Sequence, residues 1–203
     1  VNSMIIALSG YKQSGKSVAS KYLQEKYNFT PHNFKDGLVK ELKQNFPDLL
    51  EEIINQTTQY NHEHGPSEKI EEICGEMFPF EEKIREKIFE IKPPLIRALM
   101  KNYGTELRRK ENEHYWRDKW AETRPLGNIV VDDVRFSNEV NAIKYNDGII
   151  IRIKKTGQVN TDTHQTESEI DSIPADYTIE AEMGDHAKIH ADLDKILDIL
   201  QTK

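Results

Sequence analysis

The sequence has only one cysteine, Cys74, so no disulfide can form within the chain. Such cysteine usage is typical of reducing compartments, and we expect a cytoplasmic protein. No apolar run approaches the roughly 20 residues that cross a bilayer, and the first residues lack the basic-then-apolar pattern of a signal peptide. These absences argue against a disulfide scaffold and against a membrane partner.

The chain also lacks an excess of basic residues. Lysine and arginine number 28 against 35 aspartates and glutamates, which gives a net charge of -7. Proteins that bind polymeric nucleic acid normally carry a basic surface, so the charge argues against that class of partner. A mononucleotide remains compatible with it, because a local cluster of basic groups is enough to bind one.

The 203 residues contain no internal repeat and no low-complexity tract, and this length suits one domain, 1–203, that carries an insertion. Residues 45–95 are rich in glutamate and show helical apolar spacing, so we predict that they form a helical insertion. Residues 154–168 are polar and lack apolar periodicity, and they are predicted to form a loop.

Short apolar runs alternate with helical patterns outside the insertion. The runs predict strands at 4–9, 29–34, 128–132, 148–153 and 177–179. The helical patterns lie at 16–26, 36–47, 95–103, 115–122, 138–145 and 186–200, with Gly104 ending the helix over 95–103. Strands that alternate with helices predict an α/β class, a three-layer α/β/α fold with a parallel sheet.

The first predicted strand runs into a phosphate-binding motif. Residues 10–17, GYKQSGKS, fit G-x-x-x-x-G-K-[ST] in full, between an apolar strand and a helix. In such loops the backbone N–H groups face phosphates, the lysine reaches the β- and γ-phosphates, and the hydroxyl supplies an oxygen to Mg²⁺. The alternative is a glycine-rich turn with no ligand. The residues predicted to bind ATP are Gly10, Lys12, Ser14, Gly15, Lys16, Ser17 and Val18.

A second acidic site follows the strand predicted at 128–132. Asp132 and Asp133 come at its end, which in a parallel sheet lies beside the first loop. A carboxylate there can hold a Mg²⁺-bound water, although one of the two aspartates could instead cap the next turn. Arg135 follows at once and can clamp a phosphate with two hydrogen bonds, or it could simply be solvated.

Several segments of the chain resemble the phage-type deoxynucleoside monophosphate kinases. Residues 133–139, DVRFSNE, resemble the family's DVRFPNE signature, with Ser137 in the place of proline. The blocks that resemble other family motifs are FKDGLVK at 34–40, YGTELR at 103–108 followed by YW at 115–116, and HQTE at 164–167. The motif at 10–17 is shared with many enzymes, whereas the DVRF-x-NE and GTE…YW blocks are much more specific.

The resemblance implies a kinase that moves the γ-phosphoryl group of ATP to a deoxynucleoside 5′-monophosphate, with Mg²⁺ as cofactor. It also implies a homodimer in the cytoplasm, or in the host cytoplasm if a phage encodes the chain. Matching positions imply an acceptor site in which Trp116 stacks on the base. The acceptor residues so implied are Phe34, Asp36, Gly104, Thr105, Trp116, Asp133, Arg135 and Glu139.

The chemistry of phosphoryl transfer requires positioning and charge neutralisation more than a protein nucleophile. We assign Lys16 and Arg135 to the transferring group, and Ser17 and Asp133 to the metal. Asp36 is assigned to orient the acceptor or a metal-bound water, with a helix N-cap as its alternative.

The basic residues Arg152, Lys154 and Lys155 enter the polar loop, which the resemblance makes a lid over the phosphates; solvated lysines at a strand end are the alternative. Two other functions stay open from the residues alone. One is a kinase of another small phosphorylated metabolite, and the other is an ATPase or switch protein. ATP consumption with and without a mononucleotide distinguishes a kinase from a switch.

Overall fold

The computed structural model describes residues 3–11, 13–75, 80–157, 170 and 172–202. The chain divides into two compact units. The first contains Val1–Lys35 and Arg117–Lys203, and the second contains Asp36–Trp116. The predicted insertion, 45–95, falls within the second unit. No helix among the described residues is long and apolar enough to span a membrane.

Within the described part of the first unit, five strands form one parallel sheet in the order β2-β3-β1-β4-β5. The strands are β1 Ile5–Ser9, β2 Thr30–Pro31, β3 Ile129–Val131, β4 Ile149–Lys155 and β5 Tyr177–Ala181. Every predicted strand is present, although β2 is only two residues long. The predicted fold class, α/β with a parallel sheet, is confirmed.

Successive side chains of β1 lie on opposite faces of the sheet, as strand geometry requires. Ile6 and Leu8 belong to an apolar cluster with residues of α1 (Lys16–Tyr27) and α9 (His186–Gln201). Ile5 and Ala7 belong to a second cluster that contains Val140 and Ile143 of α8 (Ser137–Tyr145). Helices therefore cover both faces, which is why the strands are apolar throughout.

The carboxyl ends of two neighbouring interior strands, β1 and β3, meet at one end of the sheet. β1 leads into α1 on one face, and β3 leads into α8 on the other face. The two strands are neighbours and parallel, with Ala7 opposite Val131, so their carboxyl ends lie side by side. In open α/β sheets, ligands bind in the crevice where connections leave adjacent strands toward opposite faces.

All the secondary-structure elements in the described part of the second unit are helices. Its helices are α2 Phe34–Asn45, which begins in the first unit, α3 Pro47–His64, α4 Glu68–Cys74, α5 Phe80–Ile91, α6 Pro94–Lys101 and a π-helix Asn102–Arg109. α7 Tyr115–Glu122 begins in this unit and continues in the first. Apolar faces of α3, α4, α5 and α6 enclose one cluster, and α2 and the π-helix contribute to another.

The prediction that Gly104 ends the helix over 95–103 was wrong. The chain stays helical through Gly104 and widens there into the π-helix Asn102–Arg109. A Cβ on Gly104 would lie 3.0 Å from Leu38 Cδ2, so glycine is retained for close packing against α2 rather than as a terminator. A π-segment within a helix occurs frequently at functional sites.

Candidate active site

The loop at 10–17 connects β1 to α1. The backbone at its two motif glycines has no place for a side chain or adopts a conformation that favours glycine. A Cβ on Gly10 would lie 2.3 Å from the carbonyl oxygen of Ile153, so no side chain fits there. Gly15 has a φ of 102°, which is in the left-handed region that only glycine adopts readily. Lys12 lies outside the described residues.

The N-terminus of α1 is open to an anion. Gly15 occupies the N-cap position without a capping side chain, and the first turn contains no acidic residue. The positive end of the helix dipole and the N–H groups of the first turn are therefore not opposed by a carboxylate of that turn. Ser17 is exposed, Ser14 is buried, and Val18 packs against the core of the first unit.

The Lys16 side chain folds back over the loop. Its Nζ donates hydrogen bonds to the carbonyl oxygens of Gly10 and Tyr11, both at 2.6 Å. The ammonium group is thereby held above the same loop whose N–H groups would face phosphates. A bound polyphosphate carries negative charge, so it attracts the ammonium group more strongly than a neutral carbonyl does.

Asp133 has a different role from the one predicted. Its Oδ1 accepts a hydrogen bond from the Phe34 N–H at 3.0 Å, and its Oδ2 accepts one from the Lys35 N–H at 2.9 Å. The carboxylate thus closes the first turn of α2, and each of its oxygens already accepts one backbone hydrogen bond. Burial raises the pKa of Asp133 to about 6, and the nearby Glu139 adds to the rise while Lys35 opposes it.

Asp132 is the carboxylate that stays partly open at the end of β3. Its side chain is 25% exposed and lies 3.9 Å from the Lys35 Nζ, which is a loose ion pair. Its backbone N–H donates to Asn33 Oδ1 at 2.8 Å, and this bond sets the direction of the chain after β3. The sequence indicated both aspartates, and only the hydrogen bonds of Asp133 distinguish the two roles.

Glu139 positions the loop that carries Arg135. The Glu139 side chain is 2% exposed, and its Oε2 accepts hydrogen bonds from the N–H groups of Arg135 at 2.9 Å and Phe136 at 3.2 Å. It therefore caps α8 from within, and its burial does not support the predicted contact with a nucleotide. Arg135 is exposed, and no hydrogen bond or ion pair to another described residue engages its guanidinium.

Phe34 is a core residue rather than an acceptor contact. Its ring is 3% exposed and stacks on Trp120, with 4.9 Å between the ring centroids. Trp120 in turn donates its indole N–H to the carbonyl oxygen of His32 at 2.9 Å. These contacts anchor the start of α2 in the first unit. Asp36, in the first turn of α2, is exposed.

In the second unit, Trp116 is buried and offers no open stacking face. It is 3% exposed, packs with Leu38 and Tyr103, and donates its indole N–H to the Gly104 carbonyl oxygen at 3.0 Å. The predicted base-stacking role is therefore not supported. Thr105, the next residue of the π-helix, is exposed.

We expect the substitution Trp116→Ala to destabilise the second unit as a whole. Removing a buried tryptophan typically costs about 3–5 kcal/mol, and it leaves the Gly104 carbonyl without its donor. Urea denaturation followed by circular dichroism measures this loss. Trp116→Phe, which retains a ring, should cost much less. An unchanged unfolding midpoint with a selective loss of acceptor affinity would instead restore the stacking role.

A polar network that we had not predicted surrounds the π-helix. Glu41 accepts hydrogen bonds from the hydroxyls of Tyr103, at 2.9 Å, and Tyr115, and its carboxylate lies 3.3 Å from Arg108 Nε. The Arg108 guanidinium lies about 5 Å from both tyrosine ring centroids and donates to the Tyr103 hydroxyl at 2.9 Å. Arg108 and Tyr115 belong to the GTE…YW block, and this block was the sequence feature from which the network could have been predicted.

The basic residues before the polar loop belong to β4. Arg152 donates hydrogen bonds from its Nη2 to the carbonyl oxygens of Ile170, at 3.1 Å, and Ile173, so it has a structural role. Lys154 is exposed and Lys155 contacts Met183 Sδ, and both are still in the strand, which extends two residues past its predicted end. Residues 158–168, with His164, lie outside the described residues.

The raised pKa of Asp133 predicts how stability depends on pH. A carboxyl that titrates near 6 when folded and near 3.8 when unfolded binds its proton more tightly in the folded state. Its contribution is complete below about pH 4 and is lost as the pH rises through 6. The difference in unfolding free energy between the parent and Asp133→Asn should therefore shrink by up to about 3 kcal/mol between pH 4 and 7.

Guanidinium denaturation of both proteins at a series of pH values measures this difference. Asp132→Asn, which makes the same substitution at the neighbouring carboxylate, serves as the control. If the difference in unfolding free energy between the parent and Asp133→Asn instead grows with pH, the two backbone N–H donors stabilise the charged carboxylate by more than burial destabilises it.

The family comparison and the comparison with curated proteins indicate the same family. The sequence profile described as deoxynucleotide monophosphate kinase matches residues 41–186. A protein of Acanthamoeba polyphaga mimivirus, described as "Putative deoxynucleotide monophosphate kinase", is 30% identical over 173 residues, which cover 84% of this chain and 83% of that protein. The crystal structure of TT1252 from Thermus thermophilus aligns over 98% of this chain and 99% of its own, with 11% identity and a TM-score of 0.40. That likeness is too distant to bear on function.

Proposed function

Because the chain belongs to the deoxynucleotide monophosphate kinase family and is therefore a phosphotransferase acting on small-molecule substrates, we propose that the loop at 10–17 and the adjacent end of β3 hold the reacting phosphates. The observation that carries this proposal is the open N-terminus of α1, which begins at Lys16 and follows Gly10 and Gly15, two positions where the backbone does not accommodate a side chain. The donor in this proposal is ATP.

The donor half of the reaction uses residues of the first unit. The N–H groups at the start of α1 and the ammonium of Lys16 bind the β- and γ-phosphates and neutralise the charge that shifts between them. On nucleotide binding, the Lys16 ammonium would exchange the two loop carbonyl acceptors for phosphate oxygens. No protein nucleophile is required, since the acceptor phosphate attacks the γ-phosphorus directly.

Arg135 is proposed to bind the acceptor phosphate, the transferring group, or both. Its guanidinium is exposed and unpaired among the described residues, while its backbone is held by the buried Glu139. A fixed backbone with a mobile, uncommitted guanidinium suits a two-pronged contact to phosphate oxygens. Glu139 thus contributes by positioning Arg135 and not by touching the nucleotide.

The residues present fit Mg²⁺, a hard cation that prefers oxygen ligands. The exposed Ser17 hydroxyl would hold the ion directly, and the partly open Asp132 carboxylate would hold it through water. When bound, Mg²⁺ would neutralise charge on the β- and γ-phosphates. We assign this task to Asp132 in place of Asp133, whose oxygens already bind the start of α2.

The two aspartates should respond differently to substitution. Asp132→Asn is expected to raise the Mg²⁺ concentration for half-maximal activity by about tenfold or more, because the variant keeps the shape but loses the charge that attracts the cation. Its unfolding free energy should hardly change, since the lost ion pair with Lys35 is long and partly exposed. Activity as a function of Mg²⁺ concentration measures the effect, and equal half-saturation in the parent and the variant would refute the assignment.

A coupled assay of ADP formation tests the function itself. It compares ATP alone with ATP plus each of the four deoxynucleoside monophosphates and each ribonucleoside monophosphate. ADP formation should require a deoxynucleoside monophosphate. ATP consumption that is independent of every acceptor would indicate a hydrolase, and activity on none of the panel would indicate another phosphorylated acceptor.

Other parts of the site remain predictions carried by the resemblance. They concern Gly104 and Thr105 as acceptor contacts, Asp36 near the acceptor, the lid over 154–168 and a homodimer. Arg152 is better assigned to β4, because its guanidinium already binds two backbone carbonyls.

A further inference from the structure

Lys35 follows β2 at the carboxyl end of the sheet, and no step of the proposed transfer uses it. Its Nζ lies 3.9 Å from Asp132 Oδ1, and its side chain is 41% exposed. A direct hydrogen bond from a nitrogen to an oxygen spans about 2.7–3.2 Å, so Asp132 attracts the ammonium without engaging its donors. Within the described part of the chain, this side chain makes no other ion pair or hydrogen bond. The ammonium is therefore held near the end of β3 with its donors available to a ligand.

The backbone of Lys35 is fixed by Asp133. The Lys35 N–H donates to Asp133 Oδ2 at 2.9 Å, and the preceding Phe34 N–H donates to Oδ1 at 3.0 Å. Phe34 itself is anchored in the core by its stack on Trp120. Burial and the nearby Glu139 raise the pKa of Asp133, and the positive charge of Lys35 opposes that rise, as expected for an ammonium close to the end of β3. A flexible side chain thus extends from a fixed point.

Helix stability does not account for a lysine at this position. Lys35 is the second residue of α2, where the helix dipole has its positive end. A cation in the first turn of a helix is unfavourable, whereas the same charge in the last turn would be favourable. The first N–H groups of α2 are already bound by Asp133, so an anion at this helix start would be bound by the lysine side chain instead.

The strand order places Lys35 on the acceptor side of the proposed site. β3 lies between β1 and β2, and all three strands are parallel. The donor phosphates are assigned to the loop after β1, and the metal and the transferring group to Asp132 and Arg135 after β3. Neighbouring strands lie about 4.7–4.9 Å apart, so the end of β2 is about 10 Å from that of β1. In-line transfer puts the acceptor phosphate on the far side of the γ-phosphate from the rest of ATP, which in this arrangement is toward β2.

An acceptor phosphate on that side requires a cation. It carries a charge of about -1.5 to -2 at neutral pH and must approach the γ-phosphate, which is also an anion. The repulsion between the two opposes their contact unless positive charge lies beside both. A lysine binds phosphate as a point charge, and the Lys35 ammonium lies on the side opposite to Lys16 in the order of the strands.

We propose that Lys35 binds the phosphate of the acceptor and thereby favours a nucleotide over an uncharged nucleoside. This role rests on the proposed function, because it assigns Lys35 to the acceptor of the same transfer. Before the acceptor binds, Asp132 keeps the ammonium at the end of β3. When the acceptor binds, its phosphate oxygens accept the hydrogen bonds that the 3.9 Å separation from Asp132 leaves unmade.

Binding measurements and steady-state kinetics test this role together. Calorimetry of the full chain with a non-hydrolysable ATP analogue gives the dissociation constant of the best deoxynucleoside monophosphate without turnover. Lys35→Ala should raise both this constant and the KM for the acceptor by about tenfold or more, because a hydrogen bond between charged groups is lost. The KM for ATP should stay near that of the parent, since the donor phosphates are bound by the loop at 10–17.

Two further variants separate the phosphate contact from other effects. Lys35→Arg keeps a cation that binds phosphate and should restore most of the acceptor affinity. Lys195→Ala is the matched control, because it removes an exposed lysine of α9 that pairs with Asp192 at 3.2 Å, and it should leave the constants unchanged. The urea unfolding midpoint of Lys35→Ala should not fall, since the ion pair that it loses is long and partly exposed.

An acceptor affinity of Lys35→Ala equal to that of the parent would overturn the proposal and identify Lys35 as a solvated lysine beside Asp132. A loss that falls equally on ATP and the acceptor, or one that Lys35→Arg does not restore in part, would also overturn it, because a disturbed start of α2 explains either result. A parent that forms no ADP with any deoxynucleoside monophosphate would refute the proposed function and this role with it. An active parent with an unaffected Lys35→Ala would refute this role alone.

Discussion

Replacing Lys16 by alanine is expected to lower kcat for phosphoryl transfer by roughly 10³-fold or more, the scale on which removal of a cation from the transferring phosphoryl group acts. Lys16 is the one cation of the loop motif in the described residues, and its ammonium lies over the loop carbonyls of Gly10 and Tyr11. Initial rates with the best deoxynucleoside monophosphate and saturating ATP measure the loss.

Stability should change little in the same variant, because α1 is anchored by Ala19 and Leu23, which are fully buried. Lys21→Ala is the matched control. It removes a lysine from the same helix, where the side chain is 74% exposed and, among the residues that the structure describes, pairs only with Glu25 at 3.7 Å. Activity of Lys16→Ala within a few-fold of the parent, with Lys21→Ala also active, would show that the loop does not bind the reacting phosphates.

The second large effect is expected for Arg135→Lys, which retains the charge. Lysine presents a point charge and cannot reproduce a two-pronged contact to phosphate oxygens. Loss of one hydrogen bond between charged groups costs about 1.5–3 kcal/mol, which corresponds to roughly 10- to 100-fold in kcat/KM. Steady-state kinetics with varied acceptor measures both parameters.

The two kinetic parameters separate two modes of action. If Arg135 contacts the transferring group mainly in the transition state, kcat and kcat/KM fall together. If it binds the acceptor phosphate throughout, the KM for the acceptor rises first. Arg124→Lys, an exposed arginine of the first unit that hydrogen-bonds Asn146, is the control. Near-normal kinetics for both variants would identify Arg135 as a solvated surface residue.

Much of the fold could be predicted because its signals are local. Apolar runs such as 4–9 and 148–153 predicted β1 and β4, and helical spacing in 186–200 predicted α9 to within one residue. The extent of β2 was less predictable. Only Thr30 and Pro31 pair with β3, and pairing depends on a neighbour that is 99 residues away in the chain.

Candidate site residues were harder to predict than strands, because a residue type does not reveal its partners. A carboxylate after a strand can bind a metal, or it can accept hydrogen bonds from the first N–H groups of a helix. Only the 3.0 and 2.9 Å hydrogen bonds of Asp133 show that this carboxylate binds a helix start. An aromatic residue in a motif can stack on a base or fill a core. Trp116 and Phe34 are both buried, which indicates that they are core residues.

The sequence by itself determined the family, the motif of the loop at 10–17 and the order of strands and helices along the chain, because each depends on residues close together in the chain. Only the tertiary structure decided that Asp133 is committed to the backbone, and that the Arg135 guanidinium makes no hydrogen bond or ion pair with another described residue. Those properties depend on which side chains meet across the fold, and on the water that each one loses when it does.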